Sequence, residues 1–227
     1  MAYMNQYPKY IISAGMPRSA STWLYNAIRL VMLKQPNMAN KFSSGWIGDL
    51  NKLPQKNYML IKVHEFNDDL ASASTAMFYS YRDIRDVIAS VARKFGGIPS
   101  LEEAGKYIES HENWIQAADL TVKYESMLHD KESIIVDIVN ALNAKQTLPF
   151  QCGEDVLNAE EIVKEIETLD FNSSGSRNIH YNEMNLYHKR HITDGRHGAW
   201  KEYLDAKLVS CITDKYQWWF EKYGYDI

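Results

Sequence analysis

Four short segments of this chain gather residue types that hold anions or move protons. The first runs from Gly15 to Trp23, where an apolar stretch ends at a glycine and a helical pattern begins. A helix amino terminus offers unpaired N–H groups and positive dipole potential, which suit an anion. Arg18 adds a forked cation matched to phosphate oxygens, and Ser19, Ser21 and Thr22 add hydroxyl donors around Ala20. Trp23 offers a flat face on which a base could stack. Plain helix capping by Ser19 or Ser21, with Arg18 on the surface, satisfies the same residues. The G-x-x-x-x-G-K-[ST] spacing is absent from the sequence, which argues against a metal-dependent triphosphate loop.

The second segment starts at Arg82, at the end of a strand-like run, with Ser90 about two helical turns on. The pair could close on one phosphate from two sides. Between them, Asp83 and Asp86 read as acids favoured by a helix start, and Arg85 as a solvated cation. The third is Lys62 and His64, two apart on a strand and therefore on one face. A buried ammonium is costly without an anionic partner, and an imidazole beside it can act as a general base. A histidine satisfied by the core is the plainer reading. The fourth spans Gly195 to Lys201, where two glycines allow close approach and Arg196 can reach a phosphate. A basic surface loop would look the same.

These segments need elements to position them. Lys9–Gly15, Tyr58–His64, Ala76–Tyr81 and Leu120–Tyr124 read as short strands, the second and third apolar on both faces. Helical spacing predicts helices over 20–34, 84–94, 100–118, 131–145 and 153–168, and one last helix over 201–223. Residues 36–57 read as an irregular excursion, with Trp46 placed to cover an acceptor pocket, and 171–199 as a long loop. Strands alternating with helices predict one α/β domain over 1–227 around a mainly parallel sheet. Ligands in such folds sit at the carboxyl ends of strands, where the first three segments fall, while the fourth lies just before the last helix.

Composition narrows the partners. With 25 basic against 29 acidic side chains, a broad basic surface for duplex nucleic acid is not expected. Cys152 and Cys211 cannot build a disulfide framework, and a reducing, cytoplasmic setting is expected. Neither a signal peptide nor a membrane-spanning run is read from the sequence. His188, His191 and His197 lack the carboxylate or thiol pattern of a metal site, so loop or acceptor contacts are expected of them. Trp218, Trp219 and Phe220 read as packing, with a homodimer contact open to any exposed member.

Taken in order, the segments resemble sulfotransferases that use 3′-phosphoadenosine 5′-phosphosulfate (PAPS). Pro17 to Trp23 resembles their P-K-S-G-T-T-W loop, and Tyr81 to Val87 with Ser90 looks like their 3′-phosphate motif. Lys62, Val63 and His64 are similar to the K-T-H strand end that carries the catalytic histidine. Tyr124 and Glu125 resemble Y-E-D, whose tyrosine contacts adenine, and Gly195 to Lys201 looks like the later part of R-K-G-x-x-G-D-W-K. The resemblance implies a P-loop-like, three-layer α/β sulfotransferase fold and metal-free transfer of a sulfuryl group from PAPS to a small acceptor. It implies His64 and Lys62 as catalytic residues. Arg18, Ser19, Ala20, Ser21, Thr22, Trp23, Arg82, Ser90, Tyr124, Gly195 and Arg196 are implied around the nucleotide.

Departures are specific. Arg18 stands where many members have lysine, Ala20 and Ser21 where they have glycine and threonine, and Ala199 where they have aspartate. Thr193 and Asp194 occupy the places of the Arg-Lys pair, leaving Arg196, or Lys189 with Arg190, as substitutes. Two other readings fit parts of the pattern. A kinase-like phosphotransferase would need a P-loop lysine and magnesium ligands. A non-catalytic nucleotide-binding module would not need Lys62 and His64.

Overall fold

A computed structural model describes residues 8–145, 158–173, 180–189, 191–192 and 195–227. The expectations placed on Cys152, Arg190, Thr193, Asp194, the amino-terminal residues 1–7 and the helix before residue 158 lie outside the described residues.

Five strands form one parallel sheet in the order β2-β3-β1-β4-β5: β1 Lys9–Gly15, β2 Phe42–Trp46, β3 Tyr58–Val63, β4 Ser74–Tyr81 and β5 Leu120–Lys123. Alternate residues feed opposite layers. Ile11, Leu60 and Phe78 pack with α1 Ser21–Leu33, α6 Lys131–Ala144 and α7 Ala159–Thr168. Ile12, Met59, Ile61 and Tyr79 pack with α3 Ile84–Phe95, α4 Leu101–Ala117, α9 Ala206–Lys215 and α10 Gln217–Tyr223. A strand covered on both faces can carry an unbroken apolar run, and β1 and β3 do. The three-layer α/β architecture expected from the alternation is thus present.

Helix α1 is buried from Ser21 through Met32, because sheet, α6 and α7 enclose it. Its amino terminus is therefore held rigidly against the end of β1. Trp114 and Trp219 are fully buried in the other layer. Truncating either to alanine costs about 3–5 kcal/mol by the usual core penalty.

Three expectations are corrected. Residues 36–57 contain β2 and a 3₁₀ turn, Ile47–Lys52. The Phe42, Ser43, Ser44, Gly45, Trp46 strand is too small and polar to announce itself, and forms because β3 offers it a parallel edge. A short helix, α2 Asp68–Ala73, precedes β4, capped by Asn67. The predicted 201–223 helix is three pieces: α8 Trp200–Tyr203, α9 and α10. Asp205 accepts from the amides of Lys207 and Leu208 and so restarts the helix, while the apolar period runs on across the break. The remaining short helix, α5 Tyr124–Met127, begins where β5 ends, one residue earlier than the predicted strand.

β1 is the pivot of the topology. From it the chain crosses to β2 and β3 on one side and then to β4 and β5 on the other. Ligand crevices form at such a switch point, at the carboxyl ends of the strands. There the register sets Ser13 beside Lys62 and Gly15 beside Ser80.

Candidate functional site

The turn from β1 into α1 is strained and fixed by its neighbours. Arg18 and Ala20 lie in the left-handed region, at φ 64° and 58°. That conformation costs a residue with a Cβ about 1–2 kcal/mol and persists only where surroundings impose it. Here the Met16 amide donates to Ser80 O, and the Ser19 hydroxyl donates to Met16 O at 2.8 Å and sits 2.8 Å from Ser80 Oγ. Ser19 is fully buried and is spent on holding the turn. The capping expected of Ser19 or Ser21 is not made. The N-cap is Ala20, with no side-chain cap hydrogen bond among the described residues. Gly15 is required at the bend, because a Cβ would lie 2.4 Å from Ser80 Oγ and 2.6 Å from Ser21 Cβ.

The first and second segments meet directly. Arg18 donates from Nε to Ser90 Oγ at 3.1 Å and from Nη2 to the His191 carbonyl at 2.6 Å. Arg82 is buried, donates to the carbonyls of Arg18 at 3.3 Å and Arg196 at 2.6 Å, and lies 3.5 Å from Asp86. Its guanidinium also covers the Tyr124 ring, 4.1 Å from the centroid, while the Tyr124 hydroxyl donates to Gly195 O at 2.6 Å. Asp86 anchors the same loop by accepting from the amides of Gly198 and Trp200 at 2.8 and 2.9 Å. Thus Arg82, Asp86 and Tyr124 bring 195–200 onto the end of the sheet.

Arg85 is not solvated. It is buried between the rings of Trp200 and Phe220, forked onto Asp83 and bonded to Asp226 O. Asp83 accepts from the Arg85 amide and caps α3.

Lys62 and His64 end β3 beside α1. Lys62 Nζ, 5% exposed, donates to Thr22 Oγ1 at 2.8 Å. Burial, reinforced by the Arg18 charge, pushes its ammonium down to about 7. His64 Nδ1 lies 2.7 Å from the Gly15 carbonyl. A carbonyl only accepts, so Nδ1 carries the proton and Nε2 the lone pair. Burial, then Lys62, pushes the imidazole down to about 3, against the Gly15 bond that favours protonation. The Trp114 indole donates to His64 O at 3.1 Å, and the Trp46 ring lies 5.4 Å from the imidazole.

A cavity of about 640 Å³ joins these residues. Arg18, Ala20, Ser21, Thr22, Trp23, Lys62, His64, Arg82, Ser90, Tyr124 and Gly195 line it. Two expected residues do not. Ser19 faces the turn, and the Arg196 guanidinium forks onto Glu202 at 2.8 and 2.9 Å, leaving its carbonyl to hold Arg82. Lys189 is exposed, and its carbonyl accepts from Lys94.

The sequence reading missed Lys131 and Tyr107, which also line the cavity, and gave His188 and His191 only loose roles. His188 donates its amide to His191 Nδ1 at 3.2 Å, so the neutral His191 ring carries its proton on Nε2. Burial, then Arg18, pushes His191 down to about 2. The spacing of two histidines in a loop rich in turn residues carried no signal strong enough to place them.

Chemically the cavity is a cation-rich pocket with no carboxylate among its described lining residues. Two buried donors on lining residues, Trp23 Nε1 and Arg82 Nε, have no hydrogen-bond partner among the described residues. Orphaned donors beside cations fit an anion that brings acceptor oxygens. A different set, Asp86, Glu125 and His197, brings three ligand atoms within 4.8 Å of one another. Asp86 there already serves two amides and Arg82, and Glu125 accepts from Tyr225.

No protein-family model matches the chain, and no curated protein matches its sequence. Solved structures do. Mouse sulfotransferase SULT7A1 complexed with PAP, adenosine 3′,5′-bisphosphate, superposes with a TM-score of 0.57 at 16% identity, over 92% of this chain and 84% of that one. Retinol dehydratase with retinol and PAP gives 0.56 at 16% identity, over 99% and 84%. The same enzyme with androsterone and the inactive cofactor PAP gives 0.58 at 16% identity, over 99% and 83%. The chain therefore has the sulfotransferase fold. No described helix is long and apolar enough to cross a membrane.

Proposed function

We propose that the chain is a PAPS-dependent sulfotransferase acting on a small-molecule acceptor. The observation that carries this is His64: its Nδ1 is committed to Gly15 O, so Nε2 carries the lone pair in a cavity that Arg18, Lys62, Arg82 and Lys131 also line. A site that only held a nucleotide would have no use for an oriented neutral imidazole beside a buried lysine. The presence of PAP in the solved structures that share the fold supports the choice of ligand.

Bound PAPS would supply a sulfuryl group whose S–O bond to the 5′-phosphate is exchanged for one to the acceptor oxygen, while the acceptor's proton passes to His64 Nε2. Lys62, Arg18 and the amino terminus of α1 stabilise negative charge at the carboxyl end of β1. Arg82, stacked on Tyr124, and Ser90, which Arg18 bonds, form the grip assigned to the 3′-phosphate. The tie between Gly15 and His64 fixes the base relative to the loop that holds the anion, which is how orientation lowers a barrier.

Calorimetric titration with PAP, AMP and ATP plus magnesium tests the reading. PAP binding at least tenfold tighter than AMP is expected, and His64→Ala should keep PAP affinity within a few-fold while transfer to phenolic acceptors falls about 10²–10⁴-fold. A preference for ATP with magnesium, or normal transfer by the His64 variant, refutes it.

A further inference from the structure

A second cavity, of about 1060 Å³, meets the first at His64. The two share Pro17, Trp46, His64, Val91 and Tyr107 as walls. Their charges are opposite. Arg18, Lys62, Arg82 and Lys131 line the first, and no carboxylate does among the described residues. Glu65, Glu102 and Glu103 line the second, against one cation, Lys106, which is paired with Glu102 at 2.7 Å. The described walls of the second cavity thus carry an excess of two negative charges.

Two acids in the first turn of α4 are favoured by the helix dipole alone. That explanation does not reach two other features. Glu103 Oε1 accepts from the hydroxyl of Tyr107 at 3.2 Å, and the Tyr107 side chain lines both cavities, so this carboxylate is tied to the wall they share. Glu65 belongs to the loop after β3, next to His64, where no helix calls for an acid. The wall also carries four aromatic residues, Trp46, Phe66, Tyr79 and Tyr107, among aliphatic and small ones. Aromatic faces and carboxylates together attract a cation and repel an anion.

We propose that the second cavity takes an acceptor with an aromatic or apolar body, a hydroxyl that reaches His64 and a protonated amine held against Glu103 and Glu65. The inference rests on the sulfuryl-transfer reading above and adds the charge of the acceptor to it. A protonated amine has no lone pair, so the hydroxyl oxygen forms the new bond to sulfur. The bond from sulfur to the leaving phosphate breaks, and the hydroxyl proton goes to His64 Nε2. The amine stays charged throughout.

The test uses the full chain saturated with PAP and three phenols differing only in charge: tyramine, 4-ethylphenol and 3-(4-hydroxyphenyl)propionate, titrated by calorimetry at pH 7.4. Because Glu65 is exposed and Glu103 half-buried at the cavity wall, tyramine should bind about three- to thirtyfold tighter than 4-ethylphenol, the range of two largely solvated ion pairs. The propionate should bind weakest. In the double variant Glu65→Gln, Glu103→Gln the gap between tyramine and 4-ethylphenol should shrink below about twofold, with 4-ethylphenol itself unchanged. With PAP bound, equal affinity for tyramine and 4-ethylphenol, a gap that survives the double variant, or no binding of any phenol overturns the inference. Failure of PAP to bind in the preceding titration overturns the reading beneath it, and is seen before any phenol is added.

Discussion

Binding of PAP at pH 8 should draw about one proton from the buffer, and Lys62 should be where it goes. The lysine is buried against Thr22, and burial with the Arg18 charge holds its ammonium near 7. At pH 8 such a group is about 10% charged. An anion in the cavity replaces the lost hydration and outweighs Arg18, returning the group toward its ordinary value and charging it almost fully. The uptake is then about 0.9 proton, and about 0.5 if the apo group titrates one unit higher. A histidine restored to its ordinary range would still be neutral at pH 8, so His64 adds little there. The assay is calorimetry in three buffers of different ionisation enthalpy, where the slope of observed heat against buffer heat counts protons. Lys62→Met should bring the slope to near zero. A wild-type slope near zero, or an unchanged slope in the variant, refutes the placement of a neutral lysine beside the anion. The sign carries over to stability. The folded value lies below the unfolded one, so between about pH 7 and 10 the unfolded chain binds more protons and the apo protein gains stability as pH rises, on the order of 4 kcal/mol in all. Bound PAP should flatten that slope.

Three further outcomes follow from the same geometry. The His64 imidazole, held near 3 by burial and Lys62, should titrate upward by at least two units when PAP enters, read from its ring proton shifts by NMR; an unchanged titration would separate the base from the anion site. Gly15→Ala forces a Cβ against Ser80 and Ser21 and should cost about 1–3 kcal/mol in chemical denaturation while weakening PAP at least tenfold; a neutral outcome would show that the turn is free to move. Ala20→Gly relieves a left-handed residue and should raise stability by about 0.5–1 kcal/mol, offset partly by chain entropy, where a loss would mean the φ of 58° is not strained.

How much of this was legible depends on where the information resides. Strands β1 and β3 announce themselves because burial on both faces demands unbroken apolar runs, β4 and β5 are apolar stretches between helical patterns, and the first residues of α1, α3 and α4 follow from the change of period. β2 does not, because Phe42 to Trp46 becomes a strand only through the edge that β3 presents. The lining residues Arg18, Lys62, His64, Arg82 and Tyr124 were readable from type and spacing, since a cation at a strand end has few structural uses. Arg85 and Arg196 were misjudged for one reason. A guanidinium serves a carboxylate or ring as readily as a phosphate, and the partners that claim them, Asp83, Trp200 and Phe220 for one and Glu202 for the other, are set by folding. Asp86 looked like a dipole acid because its work, holding the amides of Gly198 and Trp200, joins residues more than a hundred apart.

The apo site is arranged so that its chemistry waits for its ligand. Arg18 and Arg82 repel one another, and burial with Arg82 lowers the Arg18 guanidinium from its ordinary value. Burial with the Arg18 charge keeps Lys62 largely uncharged at pH 8, and burial with the charge of Lys62 keeps His64 a poor base. Each of these costs is removed by one event, the arrival of an anion with several acceptor oxygens. Such an anion charges Lys62, strengthens the basicity of His64 and satisfies Arg82 Nε and Trp23 Nε1 at once. If His64 is the base, as proposed, it would thereby gain strength only when the group to be transferred is in place. The second cavity, in the proposed reading, would need no cation of its own for this, and its carboxylates, across the shared wall of His64 and Tyr107, would select the acceptor. In the proposed reading, segregating the two signs of charge across one imidazole would let a chain of modest net charge hold a strongly anionic donor and still discriminate among acceptors.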